Sequence, residues 1–216
     1  MTDATKREAI VEAARSMNAL GLNRGTAGNI SARDGDAMLI TPSGMPYATM
    51  TPAMIARMPL AGDGESEGPL APSSEWRMHR DILRARADVQ AVVHTHSIYA
   101  TTLAALRREI PPVHYMIGIF RTSRIRCTDY APFGTQALSD LAVEGLGRAH
   151  GVLLGNHGMI ALGEGLDRAM WRAVELEALA QLYYLARIAG EPALISEEEI
   201  ENEITRFENY GLKSVK

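Results

Sequence analysis

Two histidines separated by one residue are the clearest candidates for chemistry in this sequence. His94 and His96 lie at the end of an apolar run that predicts a strand, and side chains two residues apart on a strand share one face. Both imidazoles could therefore bind one metal ion if a third donor lies nearby. His157 is the best candidate, because it follows another apolar run and its neighbouring glycines allow close approach of the backbone. Three histidines with an open fourth position form the ligand set of a catalytic zinc; the alternative is that they are ordinary core or turn residues.

Three short segments combine hydroxyl side chains with small residues and could bind an anion. Two of them can form turns that point backbone N–H groups at an anion, and the third precedes a predicted helix, whose N-terminus attracts phosphate. Each is unspecific alone, since Ser and Gly are common in turns and caps. Together they predict a phosphate pocket without lysine. The segments are Thr26-Ala27-Gly28-Asn29, Thr41-Pro42-Ser43-Gly44 and Pro72-Ser73-Ser74-Glu75.

Glu75 ends the third segment, in the first turn of the predicted helix. A carboxylate there is ordinarily a favourable charge on the helix N-terminus. Beside a metal ion it could instead carry a proton to and from a substrate. The residues alone leave both roles open.

The elements that must position these residues alternate along the chain. Helices are predicted to begin at the capping boxes Thr5-x-x-Glu8 and Ser196-x-x-Glu199, and the helix that follows Ser196 is predicted to end near Tyr210. Ser73 is predicted to cap a helix that runs to about Arg86, and two more helices are predicted at Thr135–Arg148 and Asp167–Ala189. Strands are predicted at Ile30–Arg33, Ala37–Thr41, Ala91–His96, Met116–Ile119, Ile125–Cys127, Val152–Leu154 and Met159–Leu162. Helices before, between and after these strands indicate one α/β domain of three layers, covering residues 1–216.

The remaining histidines are interpreted as structural. His79 lies on the apolar face of a predicted helix, and His114 is likewise assigned no functional role. His150 follows a predicted helix, where a cation is favourable. The polar segment 62–69 is predicted to be a hairpin tip.

Composition and charge exclude several classes of protein. Twenty-two basic and 26 acidic residues give a net charge of −4, which does not indicate nucleic-acid binding. Cys127 is the only cysteine, so a disulfide framework and a multi-cysteine zinc site are excluded. Lysine occurs only at Lys6, Lys213 and Lys216, which leaves no candidate for a Schiff base or a P-loop. Without a long apolar run or a signal peptide, we expect a cytoplasmic protein that does not bind or span membranes.

Eight segments, taken in order, resemble the class II aldolase/adducin family. The resemblance extends from the first predicted helix to Gly211, and it is specific as an ordered set. It implies a three-layer α/β/α fold with a central, largely antiparallel sheet, and a homotetramer with active sites between subunits. The segments are GLNRGTAGNIS, MLITPSGMPY, LAPSSEWRMH, AVVHTHS, VHYMIG, APFGT, GNHGMIAL and FENYGLK.

The resemblance also assigns a role to each candidate residue. The three histidines named above would hold one Zn²⁺ per subunit, although another divalent metal is possible, and Glu75 would be the acid/base residue and occasional fourth ligand. Tyr115 and Tyr210 match tyrosines that reach the site of a neighbouring subunit. The substrate phosphate would contact Thr26, Gly28, Asn29, Ser43, Gly44, Ser73 and Ser74.

The implied reaction is aldol cleavage of a ketose 1-phosphate, of the L-fuculose or ribulose type, to dihydroxyacetone phosphate and an aldehyde. The metal would act as a Lewis acid on the substrate oxygens. Glu75 would move the proton on C3, and Tyr115 the proton of the C4 hydroxyl. Because no interior lysine is available for a Schiff base, metal assistance is the remaining route.

Alternatives remain within the same family. A sugar-phosphate 4-epimerase, a dehydratase and a decarboxylase would use a similar metal site, whereas a non-catalytic adducin-like module should lack the ligands. Two positions depart from the pattern of many members: Phe120-Arg121-Thr122-Ser123 replaces a Gly-Gly-Asn turn, and Asn156 replaces a histidine. The first departure leaves the sugar undefined.

Overall fold

Six antiparallel strands form the sheet at the centre of the molecule. The structure, a computed structural model, describes residues 2–62 and 65–208. The strands are β1 (Asn29–Asp34), β2 (Ala37–Ile40), β3 (Ala56–Pro59), β4 (Ala91–Thr95), β5 (Gly151–Leu154) and β6 (Gly158–Gly163). Their order across the sheet is β3-β2-β1-β4-β6-β5, and each neighbouring pair is antiparallel.

Helices cover both faces of this sheet. They are α1 (Asp3–Ala19), α2 (Trp76–Ala85), α3 (Ile98–Ala105), α4 (Gln136–Leu146), α5 (Leu166–Ala189) and α6 (Glu197–Glu208). α2 and α4 pack over one face, and α1, α3 and α5 over the other. The predicted α/β fold of three layers with an antiparallel sheet is therefore confirmed. Among the described residues, no helix combines the length and the apolarity that a membrane span requires.

β4 is buried on both faces because it lies between the two helical layers. Its side chains alternate: Val93 packs in the core under α1, α3 and α5, whereas Val92 packs in the core under α2 and α4. Burying each valine contributes about 1.5–3 kcal/mol. This alternation also directs His94 toward the α2 side of the sheet.

Two of the predicted strands do not join the sheet. Tyr115–Phe120 is a 3-10 helix where a strand is predicted at Met116–Ile119, because periodicity alone cannot distinguish a short apolar strand from a buried helical turn. The predicted strand Ile125–Cys127 forms only isolated bridges, to Ile110 and Leu153.

Capping signals place one helix start correctly and miss another. Glu199 N donates to Ser196 Oγ at 3.2 Å, which confirms the predicted capping box of α6; its predicted end near Tyr210 lies outside the described residues. α1 begins at Asp3 rather than after Thr5, because Thr2 is the N-cap and its Oγ1 accepts a hydrogen bond from Thr5 N at 3.3 Å.

Both edges of the sheet carry additional backbone hydrogen bonds. At the β3 edge, Arg57 and Glu67 exchange two backbone hydrogen bonds of 2.8 Å. Glu67 belongs to the predicted hairpin tip 62–69, of which residues 63–64 lie outside the described part. At the β5 edge, Leu153 donates to Arg126 O and accepts from Thr128 N, both at 2.9 Å. Neither outer strand is left open along its whole length.

His150 is not the helix-end cation that the sequence predicts. It is almost completely buried, at 1% exposure. Burial, with the positive charge of Arg172, lowers the pKa of His150 to about 4, so the ring is neutral near pH 7.

Candidate metal centre and active site

Three imidazoles and one carboxylate converge at the end of β4. The ring centroids of His94, His96 and His157 lie 4.8–4.9 Å apart, and Nε2 of His94 is 2.9 Å from Nε2 of His96. Glu75 Oε2 is 3.2 Å from His94 Nε2, and Glu75 Oε1 is 3.2 Å from His157 Nε2. One ligand atom from each residue lies within 4.8 Å of all the others. The structure therefore brings together the four residues that the sequence singles out.

Sheet pairing explains why residues distant in sequence meet here. His94 is in β4 and His96 directly follows that strand, whereas His157 lies in the turn between β5 and β6. β6 pairs with β4 in a register that places Met159 opposite Thr95, so this turn lies beside the end of β4. His94 Nδ1 donates to Met159 O at 2.9 Å, which leaves the Nε2 lone pair free to bind a cation.

Glycine is required where β4 and the turn approach each other. A Cβ atom on Gly158 would lie 2.3 Å from Thr95 O and 2.9 Å from His96 Cδ2. Two residues outside the sequence-derived candidates hold the turn from the other side: Arg107 Nε and Nη2 donate to Asn156 Oδ1 at 2.9 and 2.7 Å. Both residues adopt positive φ values, 52° and 54°.

Glu75 reaches the histidines from the start of α2. It occupies the N-cap position of that helix, two residues after Ser73, the predicted cap, so the helix begins at Trp76. The Ser73 hydroxyl accepts a hydrogen bond from Glu75 N at 3.3 Å and so orders the turn that carries the carboxylate. The sequence predicts Glu75 in the first turn of this helix. In the structure Glu75 directly precedes the first turn, and its side chain points toward His94 and His157.

The donor set fits a divalent cation. Glu75 is 6% exposed, and its Oε1 is buried without a hydrogen-bond partner among the described residues. A buried carboxylate oxygen without a hydrogen bond is destabilising. A cation among these groups removes this cost. Three imidazole nitrogens and a carboxylate oxygen suit Zn²⁺ and other divalent transition metals.

The directions in which the pKa values shift show that these groups interact strongly. Burial raises the pKa of Glu75, but the charge of His94 and the close contacts of His157 and His94 with the carboxylate outweigh it and hold that pKa well below its usual value. Burial lowers the pKa of His94, yet Glu75 and the Met159 carbonyl raise it overall. Burial and the neighbouring imidazoles lower the pKa of His96 to about 3. The site therefore holds a carboxylate beside one readily protonated ring.

A cleft of about 360 Å³ opens beside the four residues. Its wall includes all seven residues that the sequence predicts to contact phosphate, together with Glu75, His96 and His157. Backbone hydrogen bonds join two of the three segments, since Ser73 N donates to Thr41 O at 3.0 Å and Ser43 N donates to Ala71 O at 3.1 Å. The seven residues are Thr26, Gly28, Asn29, Ser43, Gly44, Ser73 and Ser74.

Two aromatic residues at this cleft lie outside the sequence-derived candidates. Tyr130 and Phe133 line it and are 57% and 68% exposed. They follow the segment bridged to β5, so only the fold brings them near the histidines. They give part of the cleft an apolar wall.

The predicted tyrosines are not part of this cleft. Tyr115 lies on the 3-10 helix, where its ring stacks on Phe207 with centroids 6.1 Å apart, and it is 48% exposed. It does not line the cleft of its own chain. Tyr210 lies outside the described residues.

The side chain of Asn29 does more than the sequence predicts. Asn29 Nδ2 donates to Glu75 Oε2 at 2.9 Å, and Asn29 Oδ1 lies 2.5 Å from His79 Nε2. The histidine interpreted as structural is therefore two hydrogen bonds from the carboxylate. His79 lies four residues after Glu75, and residues at this spacing lie on the same side of a helix. This spacing is the sequence signal that could have indicated a link between His79 and Glu75.

Comparisons with known proteins identify the family of this chain. Residues 8–184 match the family model described as "Class II Aldolase and Adducin N-terminal domain". The chain is 45% identical over 205 residues to a 5-methylthioribulose-1-phosphate/5-deoxyribulose-1-phosphate aldolase of Rhodospirillum rubrum, covering 95% of this chain and 92% of that protein. It is 42% identical over 205 residues to an L-fuculose phosphate aldolase of Escherichia coli, covering 94% of each.

Comparison of the fold with solved structures also points to class II aldolases. A solved structure of an L-fuculose 1-phosphate aldolase superposes with a TM-score of 0.90 at 35% identity, covering 94% of this chain and 95% of that one. These named relatives are aldolases, and aldolases are lyases. Sequence and fold agree over nearly the whole chain: the protein belongs to the class II aldolase and adducin family.

Proposed function

We propose that this protein is a metal-dependent lyase that cleaves a ketose 1-phosphate to dihydroxyacetone phosphate and an aldehyde. The observation that carries the proposal is the convergence of three imidazoles and the Glu75 carboxylate beside a cleft lined by all seven phosphate candidates. One Zn²⁺ per subunit, a homotetramer and a cytoplasmic location complete the proposal.

The cleft binds the phosphate end of the substrate. Its three segments offer backbone N–H groups and hydroxyls, and no lysine or arginine is among its lining residues in the described part of the chain. Such donors hold an anion by geometry more than by net charge. The phosphate thereby fixes the distance between the reacting carbons and Glu75.

Two residues move protons in the reaction. When bound, a divalent cation supplies Lewis-acid stabilisation of the negative charge that develops on the substrate. As the C3–C4 bond breaks, its electron pair stays on the C3 side, and Glu75 delivers the proton that completes dihydroxyacetone phosphate. The C4 hydroxyl loses its proton to the phenolate form of Tyr115 of a neighbouring subunit and becomes the aldehyde carbonyl. Glu75 enters this direction protonated, and exchange with solvent afterwards returns a proton from Tyr115 to Glu75, which resets both groups. In the reverse direction, the Glu75 carboxylate removes the C3 proton.

The aldehyde half of the substrate has an apolar end. Tyr130 and Phe133 give the cleft wall two aromatic rings. The sugars named for the relatives, L-fuculose phosphate and the 5-deoxy and 5-methylthio ribulose 1-phosphates, each carry a terminal carbon without a hydroxyl group. These sugars are the proposed substrate class.

The other activities considered from the sequence would use the same metal site. An epimerase, a dehydratase or a decarboxylase would leave no dihydroxyacetone phosphate, so product analysis separates them from an aldolase. A non-catalytic module is not favoured, because all three histidines and Glu75 are present and meet.

The test is a panel of ketose 1-phosphates assayed with zinc-loaded, chelator-stripped and His94→Ala protein. We expect dihydroxyacetone phosphate from the zinc-loaded protein, its loss after stripping, and its return when zinc is added back. His94→Ala should lose bound zinc and at least about 1,000-fold in kcat/KM, because metal catalysis contributes several kcal/mol and about 1.4 kcal/mol is tenfold. Cleavage by His94→Ala at the wild-type rate would contradict the metal assignment.

A further inference from the structure

His79 is a buried histidine that the reaction described above does not use. It lies on α2, four residues after Glu75, and is completely buried. Its Nδ1 lies 2.8 Å from Ser31 Oγ, and its Nε2 lies 2.5 Å from Asn29 Oδ1. Asn29 and Ser31 are two residues apart on β1, so one face of this strand offers partners to both ring nitrogens.

The direction of each hydrogen bond between Ser31, His79 and Asn29 follows from the Glu75 carboxylate, to which Asn29 is also bonded. An ionised carboxylate only accepts hydrogen bonds, so the Asn29 atom that faces Glu75 is the Nδ2 amide. The carbonyl Oδ1 of Asn29 then faces His79 and requires a donor, so His79 carries its proton on Nε2. Nδ1 is left as an acceptor for the hydroxyl of Ser31. The four side chains thus form one directed series that ends on Glu75.

The surroundings favour a neutral ring at this position. Burial, together with the charge of His94, lowers the pKa of His79 to about 3, although Glu75 opposes the shift. A neutral imidazole offers one donor and one acceptor, which is what Asn29 and Ser31 require.

We propose that His79 is a positioning residue: through its Nε2–H it fixes which end of the Asn29 carboxamide faces Glu75. This inference rests on the proposed function, because it assigns His79 a part in proton transfer by Glu75. Without the Nε2–H donor, the carboxamide can rotate and turn its oxygen toward the carboxylate. Glu75 then loses its 2.9 Å hydrogen bond from Asn29 and meets a repulsive lone pair instead.

Two conservative variants separate this role from packing. A glutamine side chain places its amide near the position of imidazole Nε2, and an asparagine side chain near that of Nδ1. His79→Gln therefore keeps a donor to Asn29, whereas His79→Asn keeps only the contact with Ser31. His79→Leu removes both hydrogen bonds, and all three variants disturb the same core site.

The kinetic readout isolates proton transfer from carbon–carbon bond cleavage. Exchange of the carbon-bound proton of dihydroxyacetone phosphate in D₂O, without aldehyde, reports the step that Glu75 performs. We expect His79→Asn and His79→Leu to lower the exchange rate on the order of 10- to 100-fold. Losses of this size are typical when a residue that supports a metal-site group through hydrogen bonds is replaced. His79→Gln should stay near wild type, and bound metal and the KM for dihydroxyacetone phosphate should stay within about twofold for all three. Equal losses in His79→Gln and His79→Asn, or losses that follow Tm, would overturn the proposal.

A second readout does not depend on activity. The ¹⁵N chemical shifts of His79 in the wild-type protein distinguish the Nε2–H from the Nδ1–H tautomer. Observing the Nε2–H tautomer supports the proposal, and observing Nδ1–H overturns it even if every variant folds poorly. If the wild-type protein cleaves no ketose 1-phosphate, the proposed function fails, while this measurement still decides the hydrogen-bond direction.

Discussion

At the scale of single residues, Glu75 shows how burial and chemistry are linked. Its carboxylate receives one hydrogen bond from Asn29, and its second oxygen faces His157 without a hydrogen bond among the described residues. A buried charge of this kind is tolerated only next to opposite charge. The same arrangement keeps an ionised carboxylate within reach of a substrate in the cleft.

Replacing Glu75 by glutamine should separate proton transfer from substrate binding. The change keeps the side-chain volume, so we expect KM to change by no more than a few-fold, while kcat falls about 100- to 10,000-fold with the loss of a general acid–base group. Glu144→Gln removes an equal charge at an exposed position and is the matched control. A kcat within about threefold of wild type would show that another group carries the proton.

The same variant should shift the pH dependence of metal binding. Glu75 raises the pKa of His94, and a protonated imidazole cannot bind a metal. Wild-type metal affinity therefore falls as the pH drops through this raised pKa. In Glu75→Gln the fall should begin at lower pH, although the affinity at neutral pH is weaker. Metal titrations across the pH range measure both effects.

At the scale of elements, the close pairing of β4 with the start of β6 determines the metal site. The pairing brings the turn of His157 against the strand of His94, and it leaves no room for a side chain at Gly158. A Cβ atom there would meet the main chain of β4, which cannot move without moving the two histidines at its end.

We therefore expect Gly158→Ala to weaken metal binding by at least about 10-fold, an effect of the size seen when groups supporting metal ligands are changed. Gly165→Ala is the control, because a Cβ at Gly165 meets no described atom within 4 Å and its φ of −173° is open to any residue. Competition with a chelator measures the affinity of both variants. Equal affinities would show that the β4–β6 spacing does not limit the site.

Local sequence patterns predict the strand that carries His94 and His96, but not the contacts between distant elements. The alternation in β4 and the glycine-flanked His157 are local signals, and they are sufficient to select the metal-binding candidates. The Arg107–Asn156 and His79–Asn29 hydrogen bonds join residues 49 and 50 positions apart, so only the folded sheet reveals them. Likewise, β3 alternates two buried residues with Arg57 and a proline, a pattern too short and too polar to predict a strand.

At the scale of the whole molecule, the position of Tyr115 bears on how the active site is completed. Tyr115 packs against Phe207 of α6 and does not line the cleft of its own chain. A role for it in the reaction therefore requires a second copy of the chain. This agrees with the expectation of a homotetramer with sites between subunits.

Mixing two inactive variants tests this arrangement. If each site uses Glu75 of one subunit and Tyr115 of the next, then a Tyr115→Phe and Glu75→Gln mixture at equal amounts should recover about a quarter of wild-type activity, the statistical share of intact sites in a closed ring. The variants are co-expressed, and each variant alone is the control. Activity no higher than that of the separate variants would place Tyr115 outside the neighbouring site.

The backbone bonding at the sheet edges restricts how copies of this chain can associate. Arg57 is already bonded to Glu67 beyond β3, and Leu153 of β5 is bonded to the chain on either side of Cys127. Main-chain groups at these positions are not available for strand addition, the route by which exposed edges promote fibrous aggregation. Self-association of the folded protein should accordingly use side chains on helices, and α5 offers Leu182, Leu185 and Ile188 at 42%, 47% and 67% exposure.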